Sequence, residues 1–287
     1  MYIINVLSNC CDIEVGVPQG SVLGPLLFLV YVNDIHNAVP DVSFRLFADD
    51  TNAFVHDANC NNLIEKAQSV LSKLRTWFDA NKLTLHLGKT NFSIFHATAM
   101  DDHVCPDHFN LSNTEIHRTS YTKYLGLLID DRLAFKNHID ELCNSLAKYA
   151  GIFYRLRTTI PVSLSLQVYH TLVHSRISYG IVVYGTAPMS NMKPLQTIQN
   201  RILKTLSFKN RRYATNALHA DLELLKVADL HLYKMGIFIH KYVNGSLPDI
   251  FNSIINPRNH SLTRINTRGG SLFSVTIHIG TNMESCS

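Results

Sequence analysis

Two adjacent carboxylates, Asp49 and Asp50, follow Phe47 and Ala48 and stand between segments that alternate apolar and polar residues. Val42, Phe44 and Leu46 precede them with a period of two, and Ala53 and Val55 continue it, the pattern of two strands joined at a tight tip. Paired carboxylates are hard oxygen donors suited to a divalent cation. The competing reading is a solvated turn, because Asp side chains bond nearby backbone amides there. For the pair by itself the turn is the stronger reading, so the rest of the chain must decide.

The second stretch with chemical potential is Gly16-Val17-Pro18-Gln19-Gly20-Ser21-Val22-Leu23-Gly24-Pro25. Its spaced glycines permit close backbone approach, Pro18 keeps Val17 extended, and Pro25 suits the first turn of a helix. Leu23, Leu26, Leu27, Val30 and Tyr31 then fall on one helical face, expected to be buried and to run to about Ile35. Free amides at such an entry suit a phosphate, and a ligand-free turn is an equal alternative. Lys89, in Gly88-Lys89-Thr90, reads from its surroundings as an exposed turn lysine. His103, Cys105 and His108 are close enough in sequence to ligate zinc but lack a matching second pair, which favours an ordinary loop.

The elements that must position these groups follow from periodicity. Residues 2–6 read as a strand and turn. Residues 61–80 predict a long amphipathic helix with Leu63, Ala67, Val70, Leu71, Leu74 and Phe78 inward. Short strands are expected at 82–87 and 91–96, weak ones around Leu111 and Ile116 after a polar loop, and one strand over 124–129 with Gly126 in its middle. From Phe135 the pattern turns helical. Ile139, Leu142, Leu146, Ala150, Phe153 and Leu156 define one helix, and Leu166, Tyr169, Leu172, Val173 and Ile177 a second. Leu195, Ile198, Ile202 and Leu206 define a third, and residues 222–243 a last. The tail from Asn244, rich in Asn, Ser, Gly and Pro, reads as loop or disorder.

With 46% apolar and 17% charged residues in 287, the chain can bury a core and is unlike a disordered polymer. Its net charge of +4 hides an asymmetry. Residues 1–131 hold 8 basic and 15 acidic groups, net −7; residues 132–215 hold 12 and 2, net +10; the remainder has 6 and 5, net +1. An acidic section followed by a basic one suits a metal site beside a polyanion-binding surface. Six cysteines without framework spacing read as reduced thiols of an intracellular protein, nuclear or cytoplasmic. No leader pattern is visible, and the apolar run 22–32 is too short to span a membrane. The abrupt start makes Met1 read as an internal methionine or a truncated start.

Together, the stretch from Gly16 to Phe28, Asn33-Asp34-Ile35 and Phe47-Ala48-Asp49-Asp50 closely resemble, in order and spacing, the reverse transcriptases of non-LTR retrotransposons of the LINE or jockey kind. Further matches are Trp77 to Phe95, with Asn81-Lys82-Leu83 and Lys89-Thr90, then Lys123-Tyr124-Leu125-Gly126 through Asp130, Phe135, His138-Ile139, Tyr179-Gly180 and Gln199-Asn200-Arg201, so the likeness covers about residues 1–212. It implies an RNA-directed DNA polymerase using an RNA template, a DNA primer and deoxynucleoside triphosphates. Two Mg2+ ions (Mn2+ the alternative) about 4 Å apart would serve nucleotide transfer to the primer 3′-hydroxyl. By the same resemblance Asp49 is a direct metal ligand and Asp50 a second, less direct one. Pro18, Gln19 and Gly20 face nucleotide and template, Phe47 lies near the sugar, and Lys89 sits over the triphosphate. Tyr124, Leu125 and Gly126 resemble the primer grip, and Arg155, Arg157, Arg201 and Lys204 would follow the duplex backbone.

The fold class implied is α+β: a partial polymerase palm over residues 1–131, an antiparallel sheet with packed helices, then an all-helical basic thumb over 132–212 and a helical extension with a loop-rich tail over 213–287. The family carries a further metal-binding Asp upstream of the glycine stretch, which the fifteen residues before Gly16 do not supply. Weak or absent polymerisation by this chain is therefore expected. The alternative is a non-catalytic, nucleic-acid-binding remnant of the same element.

Overall fold

The computed structural model describes residues 2–3, 6–7, 20–48, 50–86, 88–95, 106–111, 114–255 and 273–282. It is an α+β chain of two compact units, Met1–Thr122 with Gly270–Ser287, and Lys123–Gly269. The division lies ahead of Asp131, where the charge changes sign, and the last residues belong with the first unit.

In the first unit, β1 (Tyr2–Ile3) pairs antiparallel with β2 (Val6–Leu7). Helix α1 (Gly24–Val32) has Pro25 in its first turn and is followed by the short α2 (Ile35–Ala38). The expected buried face of α1 is a correction: Leu23, Leu26, Leu27, Val30 and Tyr31 are all exposed, and only Gly24 and Val32 are buried. The helix is apolar on every side, so periodicity defined no inner stripe.

Strand β3 (Ser43–Phe47) pairs with β4 (Asp50–Asp57), Phe44 opposite Ala53, as the alternation predicted. Helix α3 (Cys60–Ala80) starts where the Asn59 side-chain oxygen accepts the N–H groups of Asn61 and Asn62, at 2.8 and 3.4 Å. Its six predicted inward residues are the six buried ones. They pack with Ala53, Val55, Phe92 and Ile94 into one core, each large side chain contributing roughly 1.5–3 kcal/mol. Strands β5 (Thr84–Leu85) and β6 (Asn91–Phe95) flank the Lys89 turn, and β7 (His108–Leu111) pairs with β8 (Thr114–His117).

The tail supplies the largest correction. Phe273–Asn282 forms β11, which lies between β4 and β6, antiparallel to both, and also pairs β5. Phe273, Val275, Ile277 and Ile279 carry the period of two that the surrounding Asn, Ser and Gly residues obscured.

The chain passes into the second unit along β9 (Tyr121–Tyr124), which pairs with β10 (Leu127–Asp130). The single strand expected over 124–129 is thus a hairpin. Its turn residues, Leu125 and Gly126, have φ of 46° and 82°, the left-handed pair that a tight hairpin turn requires. Next come α4 (Lys136–Leu156), α5 (Val162–Tyr169), a π-helical turn over His170–His174, α6 (Ser175–Ser178), α7 (Ile181–Tyr184) and α8 (Met189–Leu206). The last expected helix, over 222–243, starts five residues late, and a helix that was not expected precedes it. Helix α9 (Thr215–Asp221) ends at a turn where Glu223 has φ of 52°, and α10 (Val227–Val243) begins only beyond it. A short α11 (Ile250–Ile254) lies in the stretch read as loop.

The core of this unit is built on α4 and α8, with Ile139, Leu146, Phe153, Leu195, Ile202 and Leu206 fully buried. Inside it Gln199, wholly buried, donates to Tyr169 Oη at 3.0 Å and to the Leu225 carbonyl at 3.1 Å, while Gln196 donates to the Gln199 side-chain oxygen at 2.8 Å.

Candidate functional site

The β3–β4 hairpin sets the acids. Phe47 stands opposite Asp50, which leaves a two-residue connection, and Ala48 enters it at φ of 50°. Asp49 lies outside the described residues, as do Pro18 and Gln19. Asp50 is half-buried at the first position of β4, Phe47 is 58% exposed, and Gly20 is exposed in a left-handed turn ahead of α1.

Sheet register relates Asp50 to Lys89. On β11, Gly280 pairs with Asp50 on one side, and His278 pairs with Asn91 on the other. Two residues back from Asn91, Lys89 occupies the turn leading into β6, so that turn and the acidic tip sit at the same end of the sheet. Two strand spacings separate β4 from β6, roughly 10 Å. The turn is fixed by His86, whose carbonyl accepts the N–H groups of Lys89 and Thr90 and the Thr90 hydroxyl, while the Lys89 side chain is exposed.

Carboxylate oxygens are the right donor type for Mg2+. Among the described residues no group of three His, Cys, Asp or Glu comes together to hold a metal. Asp50 is the described member of the proposed pair. Of the zinc candidates, His103 and Cys105 lie outside the described residues, and His108 faces Glu115 at 3.9 Å. Asp130 acts locally, its carboxylate accepting the Arg132 and Ala134 N–H groups at 3.2 and 2.8 Å and so shaping the turn into α4. Among the described residues no helix is long and apolar enough to cross a membrane.

In the second unit, Tyr124, Leu125 and Gly126 form the end of β9 and its turn. Tyr179, given no role by sequence reasoning, donates its hydroxyl to the Leu125 carbonyl at 2.5 Å, and a Cβ added at Gly126 would touch its ring at 3.4 Å. Gly180, at φ of 67°, makes this approach possible, since a Cβ there would sit 2.6 Å from Leu127. The signal in the sequence was two glycines, Gly126 and Gly180, each required where the backbone is left-handed and crowded. Arg155 lies in the last turn of α4 with Arg157 just beyond, and Lys204 lies in the last turn of α8, placements that also suit the helix dipoles. Arg201 is exposed one turn earlier, and Lys204 donates to the Arg211 carbonyl at 2.9 Å.

Histidines in this unit are tuned by burial. The Leu128 N–H donates to His138 Nδ1 at 3.4 Å, and burial holds His138 below its ordinary 6.5. Burial lowers His174 and His219 as well, with His170 and Lys234 adding to the effect at His174. Unfolded, these rings take up protons near 6.5; folded, they resist. Their stability contribution is therefore present above 6.5 and lost as pH falls below it. The urea midpoint of the second unit should drop between about pH 7 and about pH 5, and His138→Gln should flatten that drop. An unchanged pH profile in His138→Gln would remove His138 from this account.

Comparison with known proteins places the chain. Residues 5–129 match the family described as reverse transcriptase (RNA-dependent DNA polymerase), and the chain carries a reverse transcriptase domain. Its relatives are polymerases of mobile elements. It is 29% identical over 235 residues to a probable RNA-directed DNA polymerase from transposon X-element of Drosophila melanogaster, covering 78% of this chain and 25% of that protein. It is 26% identical over 227 residues to the RNA-directed DNA polymerase from mobile element jockey of Drosophila funebris, covering 76% and 24%. A probable RNA-directed DNA polymerase from transposon BS of Drosophila melanogaster is 29% identical over 225 residues, covering 75% and 24%. Over about three quarters of its length the chain is thus similar to the RNA-directed DNA polymerases of the mobile elements X-element, jockey and BS. The chain spans about a quarter of the length of the curated relatives it matches. No solved structure matches it significantly.

Proposed function

We propose that this chain is the nucleotide-transfer and duplex-holding part of a retrotransposon RNA-directed DNA polymerase, with residues 1–131 as partial palm, 132–212 as thumb and 213–269 as extension, strand β11 returning to complete the palm sheet. The observation that carries the reading is the common sheet end shared by the Asp50 hairpin and the Lys89 turn, inside the span that matches the family. Asp49 and Asp50 would hold Mg2+, or Mn2+ in its place. Such ions, when bound, supply charge neutralisation and a more acidic primer 3′-hydroxyl. Lys89, on its exposed turn, can reach a triphosphate and donate a proton toward the leaving pyrophosphate. Phe47 offers an exposed ring to the sugar, and Pro18, Gln19 and Gly20 are assigned to nucleotide and template by the family resemblance alone.

In the second unit, the Tyr124–Gly126 turn, held by Tyr179, is the primer grip of this reading. Arg155, Arg157, Arg201 and Lys204 follow the backbone of the RNA–DNA duplex, so affinity should fall steeply with salt. The net +10 of residues 132–215 supports this assignment.

Titration of Mn2+ into the full chain, followed by electron paramagnetic resonance in the presence of a deoxynucleoside triphosphate, tests the acidic site. Bound Mn2+ should fall at least about tenfold in affinity in the Asp49→Asn, Asp50→Asn double variant, with Lys89→Ala weakening the nucleotide and sparing the metal. Equal metal binding by native chain and double variant would refute the site. Primer extension on an RNA template is expected to be weak, and any that is detected should vanish in Asp49→Ala.

A further inference from the structure

Where α4 and α8 end side by side, two large rings face solvent: Tyr154 is 60% exposed and Phe208 57%. Between them the Arg157 guanidinium lies 4.2 Å from the Tyr154 ring centre and 5.5 Å from that of Phe208. Neighbouring Lys209 is neutralised by Asp221 at 3.5 Å. Arg157, in contrast, has no carboxylate within reach among the described residues, and its Nε is buried without a hydrogen-bond partner. Arg155, Arg211 and Arg212 stand exposed nearby in the chain.

The backbone at Phe208 adds a second observation. Helix α8 closes with the Lys209 N–H bonded to the Lys204 carbonyl at 3.0 Å, and Phe208 takes the left-handed position at φ of 57°. That position strongly favours glycine, because a side chain there is strained. The site carries instead a bulky ring, more than half of it in water and in contact with an unpaired cation.

We infer that Tyr154, Arg157 and Phe208 form a stacking platform for a single-stranded stretch of nucleic acid, an unpaired base lying on the rings and its phosphate on the guanidinium fork. Exposed aromatic faces beside arginines bind unpaired bases of any sequence, because each base has a π-face. A duplex hides those faces in its own stack, so the two rings serve unpaired bases only, while Arg157 is shared with the duplex-backbone contacts of the thumb. The inference rests on the nucleic-acid-handling reading above and extends it to a strand not yet, or no longer, paired.

The test measures anisotropy of fluorescein-labelled oligo(U) RNA, oligo(dT) DNA and a blunt hairpin duplex against the full-length chain and its variants. Tyr154→Leu and Phe208→Gly should each weaken single-strand binding by about tenfold on at least one strand type, which identifies the strand, and leave duplex binding within about twofold. Arg157→Lys, which keeps the charge and loses the planar fork, should weaken it by about fivefold. Phe208→Gly suits the backbone better than the native residue, so its melting temperature should hold or rise while binding falls. Unchanged single-strand binding in Tyr154→Leu and Phe208→Gly, with duplex binding intact, overturns the platform alone. Loss of stability in Phe208→Gly, with both ligands weakened equally, overturns it in favour of a structural role. Failure of the native chain to bind either ligand overturns both the platform and the reading beneath it.

Discussion

Gly185→Ala is expected to destabilise the second unit by about 3 kcal/mol or more. A Cβ at this position would lie 2.1 Å from His231 Nδ1 and 2.4 Å from the Ile181 carbonyl oxygen. That carbonyl also meets His231 Nδ1 at 2.9 Å, joining α7 to α10. One added methyl therefore pushes the histidine off its partner and presses on backbone that cannot rotate away. Urea unfolding followed by far-ultraviolet circular dichroism reads the effect. Gly185→Ala combined with His231→Ala should recover only part of the loss, because the clash with the Ile181 carbonyl persists. Full recovery in the double variant would locate all of the strain in the histidine.

The second large effect is expected at Gln199. Leucine there preserves volume but cannot donate to Tyr169 Oη or to the Leu225 carbonyl, and it offers nothing to Gln196. Each buried polar group left without a partner costs about 1–3 kcal/mol, so Gln199→Leu should lose roughly 3 kcal/mol. Tyr169 itself is informative: burial pushes its hydroxyl up to about 12, against the opposing pull of the Gln199 bond. Combining Tyr169→Phe with Gln199→Leu should cost less than the sum of the two single changes, since both remove the same bond. Strict additivity in that cycle would show that the two side chains act independently. This network also gives the Gln199-Asn200-Arg201 stretch a local physical role in tying α8 to its neighbours: the Asn200 side-chain oxygen meets His219 Nε2 on α9 at 2.9 Å, and one turn earlier Gln196 accepts the Val227 N–H at the start of α10 at 2.8 Å.

The legible parts of the fold were those in which each residue type alternated with its opposite. Helix α3 is the clear case: six apolar positions at helical spacing among polar ones are the six that the structure buries. Helix α1 defeated the same reasoning because Pro-Leu-Leu-Phe-Leu-Val-Tyr-Val has no polar side to mark what faces water. The β9–β10 hairpin was read as one strand because an apolar run from Tyr124 to Ile129 continues through its turn, and Gly126 alone hinted at the reversal. Strand β11 was missed for the opposite reason, a short alternating run set in loop-like composition. At the candidate site, Asp50 and Lys89 were legible as residues, yet their common sheet end was not. It depends on the register that β11 imposes on strands it follows in sequence by most of the chain.

That register bears on how the protein is made. Strand β11 fills the middle of a sheet whose other strands lie at Ser43–Phe95, with the entire second unit in between. During synthesis β4 and β6 emerge long before the strand that joins them, while the intervening helices can already form their local contacts. The facing edges of β4 and β6 must then stay unpaired until translation reaches Phe273, an interval in which open edges invite pairing with other chains. Closing the sheet across so long a loop is slow. A ribosome paused upstream of Phe273 would hold a nascent chain whose helical unit is complete and whose acid-bearing strand still lacks one neighbour.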